Sequence, residues 1–337
     1  MSAHGATTQS LSSERMPPME IVRNYGIYFV FTSLFLALCV AEPKFRSEAN
    51  LINLLRQNAV IGIMACAMTF AIILGGLDLS VGAIAAASSV VAARVMIDLA
   101  GDGDQLWYHT AAGIGLGLAV GLAAGLFNGV LIARVGVNPF VSTLGTMTIL
   151  RGLLYVWTNA TPLFGVDLSF TRLGLGKSFS IPNPFWVFFA VAIVLTILLG
   201  YARFGHYVYA IGGNETAAAH MGVNVTAVKM TVYVIIGACS AIAGIILVGQ
   251  TATGQPAGAM GYELTAIAAV IVGGASLSGG QGRMSGTIIG VFLLGIVSNG
   301  LNLFGVSPFW QPVATGTILV LAVAIDSLAA KNSAYHR

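Results

Sequence analysis

From residue 25 onward the chain is dominated by long apolar runs, broken by short polar or glycine-rich stretches. A helix that crosses a bilayer needs about 20 mostly apolar residues. Runs of that kind are predicted over residues 25–41, 57–75, 82–100, 108–133, 139–158, 185–202, 229–249, 263–274, 284–303 and 311–329. They are continuous, rich in Ala, Leu, Ile and Gly, and lack strict alternation, which favours helices over barrel strands. The pattern predicts an all-α fold: a polytopic membrane bundle of about ten transmembrane helices over residues 25–330. A polar tail over 1–24, Ser/Thr-rich and expected to be disordered, precedes it, and a short tail over 331–337 follows. Residues 26–41 lie behind too long a leader for a signal peptide. Leu38 stands before Cys39, where lipoprotein cleavage wants a small residue, so this stretch reads as an uncleaved first span.

Composition agrees with lipid as the main solvent. Of 337 residues 57% are hydrophobic and 8% charged, against about 25% charged in soluble domains. The net charge of +3 is slight, and no basic run points to nucleic acid. Ten spans put both termini on one side. With those termini cytoplasmic, inner segments hold Arg15, Arg23, Arg134, Arg203, Lys229, Arg283, Lys331 and Arg337. Outer segments hold Lys44, Arg46, Arg56, Arg172 and Lys177. The bias has the sign expected of cytoplasmic loops. Trp107, Trp157, Trp186 and Trp310 fall near predicted outer boundaries and read as interface anchors.

Glycine occupies 42 positions. Gly113, Gly117, Gly121 and Gly125, spaced by four, draw one seam down a helix face where another backbone can approach closely. Two motif pairs recur. GGLDLSVG (75–82) matches GGASLSGG (273–280) at an offset of 198 (273 − 75), and GVNPF (136–140) matches GVSPF (305–309) at 169 (305 − 136). The difference is about one helix plus a loop, so the repeat is partial and cannot keep one orientation throughout. Paired broken helices in repeats point to a transporter's central pathway.

The longest cytoplasmic loop, 201–229, contains AIGGNETAAAHMGVN. Gly212 and Gly213 free the backbone, Asn214 suits an N-cap, and Glu215 faces the positive helix end. Ala217, Ala218 and Ala219 favour helix, and Gly222 supplies a left-handed stop. The segment predicts a helix of about two turns outside the membrane, with a small, flat face suited to docking. This phrase, with GGLDLSVG, NGVLIARVGVNPFVSTLGT and AIAAVIVGGASLSGGQG, resembles the permease subunits of ribose-type sugar ABC importers, over residues 50–329. The resemblance implies a permease of the bacterial inner membrane that pairs with a second copy of itself. It also implies two cytoplasmic ABC ATPase subunits and a periplasmic sugar-binding protein as partners. No cofactor is implied for this chain, since ATP and Mg would be held by the ATPase. Gly212, Gly213, Asn214, Glu215, Ala218 and Gly222 would then form the coupling helix. Many importers show Glu-Ala-Ala-x-x-x-Gly there. Here Thr216 stands at the Glu register and Glu215 one position earlier.

The polar residues at span ends and breaks are candidates for the substrate pathway: Asp78, Ser80, Asn128, Asn138, Ser276, Asn299 and Gln311. A carboxylate at membrane depth costs about 2.5–3.5 kcal/mol on insertion scales. Asp78 either accepts from sugar hydroxyls or caps the next helix with Ser80, and its counterpart Ser276 is neutral. Amides offer donors and acceptors without fixed charge, which suits polyhydroxylated ligands or, equally, interhelical hydrogen bonds. Arg151 is expected to snorkel or face the bundle interior, and Glu263 to sit at an interface. GLGKS (174–178) resembles a phosphate loop, but Thr171 occupies the position where that motif needs glycine. Cys39, Cys66 and Cys239 and the five scattered histidines have no metal-ligand spacing. An ion-coupled secondary transporter is the alternative reading. It too uses repeats and broken helices, but usually places ionisable groups deep in the bundle.

Overall fold

The computed structural model describes the backbone of residues 18–101, 103 and 106–335, and the side chains of these save 18–25, 168 and 325–335. The expected tail over 1–24 is helical from Pro18; residues 1–17 lie outside the described ones, as do 336 and 337 of the expected second tail.

Ten apolar helices account for most of the chain. They are α1 (Pro18–Ala41), α2 (Glu48–Ile73), α3 (Val81–Ala100), α4 (Trp107–Val130) and α5 (Pro139–Thr158), then, further on, α7 (Asn183–Gly200), α10 (Val225–Thr251), α11 (Tyr262–Val272), α12 (Met284–Leu303) and α13 (Trp310–Tyr335). Among the described residues seven of these are long and apolar enough to cross a membrane by length and composition. Gly26–Ala41, Tyr262–Val272 and Trp310–Ala324 are shorter apolar stretches. Every predicted run coincides with one of the ten. Among the described residues strand is confined to two-residue pairs: β1 (Leu163–Phe164) with β4 (Thr253–Gly254), and β2 (Lys177–Ser178) with β3 (Ile181–Pro182). The GLGKS segment runs from α6 (Thr171–Leu175) into β2, with Gly174 packed on the Gly249 backbone, so it is a packing element.

Local chemistry sets the helix ends. Ser47 accepts from the Asn50 N–H at the start of α2, and Asn224 accepts from Ala227 at the start of α10. Asn138 accepts from Phe140 with Pro139 at the first helical position of α5. The two glycine breaks share one geometry. After α2, Gly75 (φ 78°) donates to the Ile72 carbonyl and Gly76 to Ala71. After α11, Gly274 (φ 90°) donates to Ile271 and Ala275 to Val270. Both are left-handed stops in which orphan end carbonyls find donors. The backbone therefore equates Gly75 with Gly274, one residue off the sequence match, and Asp78 stands where the second copy has Leu277. The GVNPF and GVSPF turns keep their register, with Gly136 at φ 82° and Gly305 at φ 73°. Two helices, α3 and α4, separate GGLDLSVG from GVNPF, and α12 alone separates GGASLSGG from GVSPF. One pair of turns therefore lies at the same end of the bundle and the other at opposite ends.

The core forms around α10, which packs on α2, α3 and α4. The glycine seam of α4 makes that packing close. Gly113 and Gly117 face the Ala92 and Ser88 carbonyls of α3, while Gly121 and Gly125 lie on Gly237 and Tyr233 of α10. Without a hydrophobic drive between helices in lipid, such backbone approach is what dispersion packing needs.

Between α7 and α10 lies an arm of two helices, α8 (Arg203–Gly213) and α9 (Glu215–His220). The expectation of a loop ahead of one short helix is corrected here. Residues 203–213 form a helix with Val208 and Ile211 buried, and Gly212 and Gly213 are its last residues, not a free hinge. The end of the bundle carrying this arm is called the arm end below. By the alternation of the helices, all four tryptophans lie at span ends on the opposite side.

Candidate functional site

A cavity of about 430 Å³ opens between the starts of α2, α11 and α13 and the ends of α10 and α12, in the half of the bundle opposite the arm. Its polar lining comes from Gln57 and Asn58 of α2, Gln250 of α10, Thr265 of α11, Ser298 and Asn299 of α12, and Gln311 and Thr315 of α13. Leu54, Val60, Ile61, Leu264, Val291, Leu294 and Leu319 supply apolar wall. Among the described residues no Asp, Glu, Lys, Arg or His lines it. The size falls in the range of small-molecule sites, about 300–1,000 Å³.

Helix geometry places these groups. On α2, Asn58 donates to the Leu54 carbonyl one turn back and sits against Gly295, where any side chain would displace it. Asn299 and Asn50 exchange two amide hydrogen bonds of 2.8 and 2.9 Å, pinning α12 to the start of α2. Gln311 donates to Asn302 at 2.8 Å across the turn before α13. Gln250 lines the cavity, and its amide nitrogen, buried beneath the wall, has no hydrogen-bond partner. The wall thus combines amides and hydroxyls with spare donors and acceptors and no fixed charge.

Of the sequence-predicted pathway residues, Asn299 and Gln311 line this cavity. Asp78, Ser80 and Asn128 are brought together elsewhere, in a fully buried chain of hydrogen bonds. Thr146 of α5 donates to Asn128 of α4 at 2.6 Å. Asn128 donates to the Ser80 hydroxyl at 2.9 Å, and Ser80 donates to Asp78 through both its hydroxyl and its backbone N–H. This chain ties the first glycine break to α4 and α5. Asn138 caps α5 at the arm end. Ser276 lies in the second glycine loop, where its N–H donates to the Gln281 carbonyl and its hydroxyl accepts from Ser278. Gln57, Asn58, Gln250, Thr265, Ser298 and Thr315 escaped the sequence reading. They belong to no motif and are spread over separate apolar helices, and only the meeting of five helices makes them a group. Arg151 donates to the Pro256 carbonyl at 2.7 Å and fastens α5 to the loop before α11.

In the arm, Asn214 accepts from the Ala217 N–H at 2.9 Å and caps α9; Gly222 (φ 85°) ends it. Ala218 turns inward and is buried, while Thr216, Ala217, Ala219 and His220 face outward. Met221, which the sequence reading passed over, is 85% exposed beside them. Glu215 pairs through both oxygens with Lys229 of α10 at 2.7 Å. A thioether next to a flat alanine face is an adaptable contact surface.

Comparison with known proteins places the chain. Residues 50–323 match the family described as branched-chain amino acid transport system / permease component. A ribose import permease protein of Bacillus subtilis is 43% identical over 308 residues, covering 91% of this chain and 93% of that one. An L-arabinose transport system permease protein of Escherichia coli is 41% identical, covering 96% and 95%. A D-allose transport system permease protein of Escherichia coli is 35% identical, covering 91% and 92%. No solved structure matches. With a family match across most of its length and relatives this similar end to end, the chain belongs to the family of membrane permease components of branched-chain-amino-acid-type transport systems.

Proposed function

We propose that this chain is the pathway-forming permease subunit of an ATP-driven, binding-protein-dependent importer whose cargo is a neutral monosaccharide or sugar-like polyol. The observation that carries the reading is the uncharged, amide-lined cavity. An amino acid presents an ammonium and a carboxylate, and leaving those unpaired in a low-dielectric wall costs several kcal/mol. A sugar presents hydroxyls and a ring oxygen and no charge, which the Gln250, Asn58, Asn299 and Gln311 amides match in kind. The same absence of carboxylates from the lining weighs against ion coupling, which relies on ionisable groups in the pathway. The names of the ribose, arabinose and allose permeases agree with this cargo class.

In this reading the arm end is cytoplasmic and both termini lie on that side. The α8–α9 arm docks in a groove of an ABC ATPase, which holds the ATP and Mg. The cavity opens toward a periplasmic sugar-binding protein, and a second copy of the chain completes the pathway. The permease holds no cofactor. It works by opening alternately to either side while the ATPase supplies the energy.

Reconstitution with the ATPase subunit and binding protein tests this. Radiolabelled ribose, arabinose and allose are offered in parallel with leucine. ATP-dependent uptake of at least one sugar, none of leucine, and no effect of a proton ionophore are expected. Uptake that persists without ATP and collapses with the proton gradient would overturn the reading. Gln250→Leu, which removes one amide from the cavity wall, should lower sugar uptake several-fold with binding-protein docking unchanged.

A further inference from the structure

We propose that a backbone junction of Ile73, Gly212 and Gly280 is the positioning point through which the arm moves α2 and the α11–α12 loop as one body. The proposal rests on the importer reading above.

Three segments distant in sequence meet there with almost no side chain between them. The Gly280 N–H donates to the carbonyl of Ile73, the last residue of α2, at 2.8 Å. That carbonyl is one of the helix-end acceptors with no partner inside its own helix. Gly212, at the end of α8, sits directly on the pair. A methyl there would overlap the Ile73 carbonyl and lie 2.7 Å from the Gly280 nitrogen. A methyl on Gly279 would lie 2.7 Å from the Gly212 oxygen, and one on Gly280 3.1 Å from Gly213. Gly279 and Gly280 hold φ of 83° and 71°, which side chains with a Cβ rarely adopt. Glycine at these positions is therefore a requirement of both space and backbone angle. Gly213, by contrast, has open space where its Cβ would be, so of the pair only Gly212 lacks room for a side chain.

A second attachment lies one turn earlier on the same face of α8. The Tyr209 hydroxyl donates to the Gly282 carbonyl at 2.8 Å, within the same glycine loop. Gly282 in turn lies against the Ile73 side chain. The loop's two feet are clamped together, since Gly273 at the end of α11 lies on the backbone of Gly286 in α12.

The consequence is mechanical. Flexible side chains at an interface can absorb a small displacement, whereas close-packed backbones pass it on. The arm is short and continuous, with Asn214 alone between α8 and α9. A shift imposed on α9 therefore reaches α2, α11 and α12 together. Those three helices line the sugar-sized cavity at their other ends. Beside the junction, a second space of about 430 Å³ lined by Tyr28, Tyr209, Gly274 and Arg283 leaves the loop room to move.

The test measures ATP hydrolysed per sugar imported in the reconstituted complex, alongside retention of the ATPase on the tagged permease. Gly212→Ala should retain the ATPase and raise the ratio at least tenfold. Tyr209→Phe, which deletes only a hydroxyl, should raise it about threefold. Gly200→Ala, at the end of α7 in open space, should match wild type. A wild-type ratio in Gly212→Ala overturns the proposal, as does loss of the ATPase from a folded Gly212→Ala permease. Should that variant fail to fold, Tyr209→Phe decides: a raised ratio upholds the junction and a wild-type ratio removes it. Absence of ATP-dependent uptake by the wild-type complex would instead overturn the importer reading itself.

Discussion

Replacing Asn128 by Leu isolates the polar chain that ties the first glycine break to α4 and α5. The wild-type side chain accepts from Thr146 at 2.6 Å and donates to Ser80 at 2.9 Å, and all three residues are buried. Leucine keeps the approximate volume and removes both bonds. The Thr146 hydroxyl loses its acceptor, and an orphaned buried hydroxyl costs about 1–3 kcal/mol. Ser80 still donates to Asp78, so its share is a lost interhelical bond, about 0.6 kcal/mol in membrane interiors. The expected destabilisation is about 2–3 kcal/mol. Adding Thr146→Val removes the orphan and should return about 1–2 kcal/mol, a coupling seen only between residues in contact. The buried thiols report unfolding. Cys66 and Cys239 are 0% and 5% exposed, so in a Cys39→Ser background a thiol-reactive fluorophore labels them only as the bundle opens. Denaturing-detergent titration then yields the three free energies. A single variant within about 0.5 kcal/mol of wild type refutes the reasoning. So does a double variant that is merely the sum of the singles.

Two further outcomes follow from the geometry. Gly237→Ala drives a methyl into the Gly121 carbonyl at the α4–α10 crossing. It should cost about 1–3 kcal/mol by overpacking and lower the yield of monodisperse protein in size-exclusion chromatography, while Gly115→Ala, in open space on the facing helix α4, should not. The Glu215–Lys229 pair is 55% and 20% exposed. Glu215→Gln should therefore change α9 docking by at most about 1 kcal/mol, less at high salt. A loss of ATPase affinity beyond about tenfold in a pull-down titration would assign Glu215 a direct contact.

The spans were legible because a membrane helix is a local property: about 20 apolar residues satisfy their own backbone and need no partner. The same holds for the α9 cap at Asn214, the stop at Gly222 and the glycine seam of α4, each written in a single window. Helix α8 escaped because its glycines and tyrosines look like loop chemistry, and its buried Val208 and Ile211 show only against the bundle. Gly212 and Gly213 are identical as letters, yet only one is pressed against Ile73. Asp78 and Asn299 looked alike as lone polar residues at breaks. Folding closed the first into a hydrogen-bonded chain and set the second on a cavity wall. The sequence alone determined that this is a helical membrane bundle with a capped external helix, because hydrophobic length and capping act over a few turns. Only the tertiary structure decided which polar groups share a space, because Asn58, Gln250, Asn299 and Gln311 meet through packing between helices far apart in the chain.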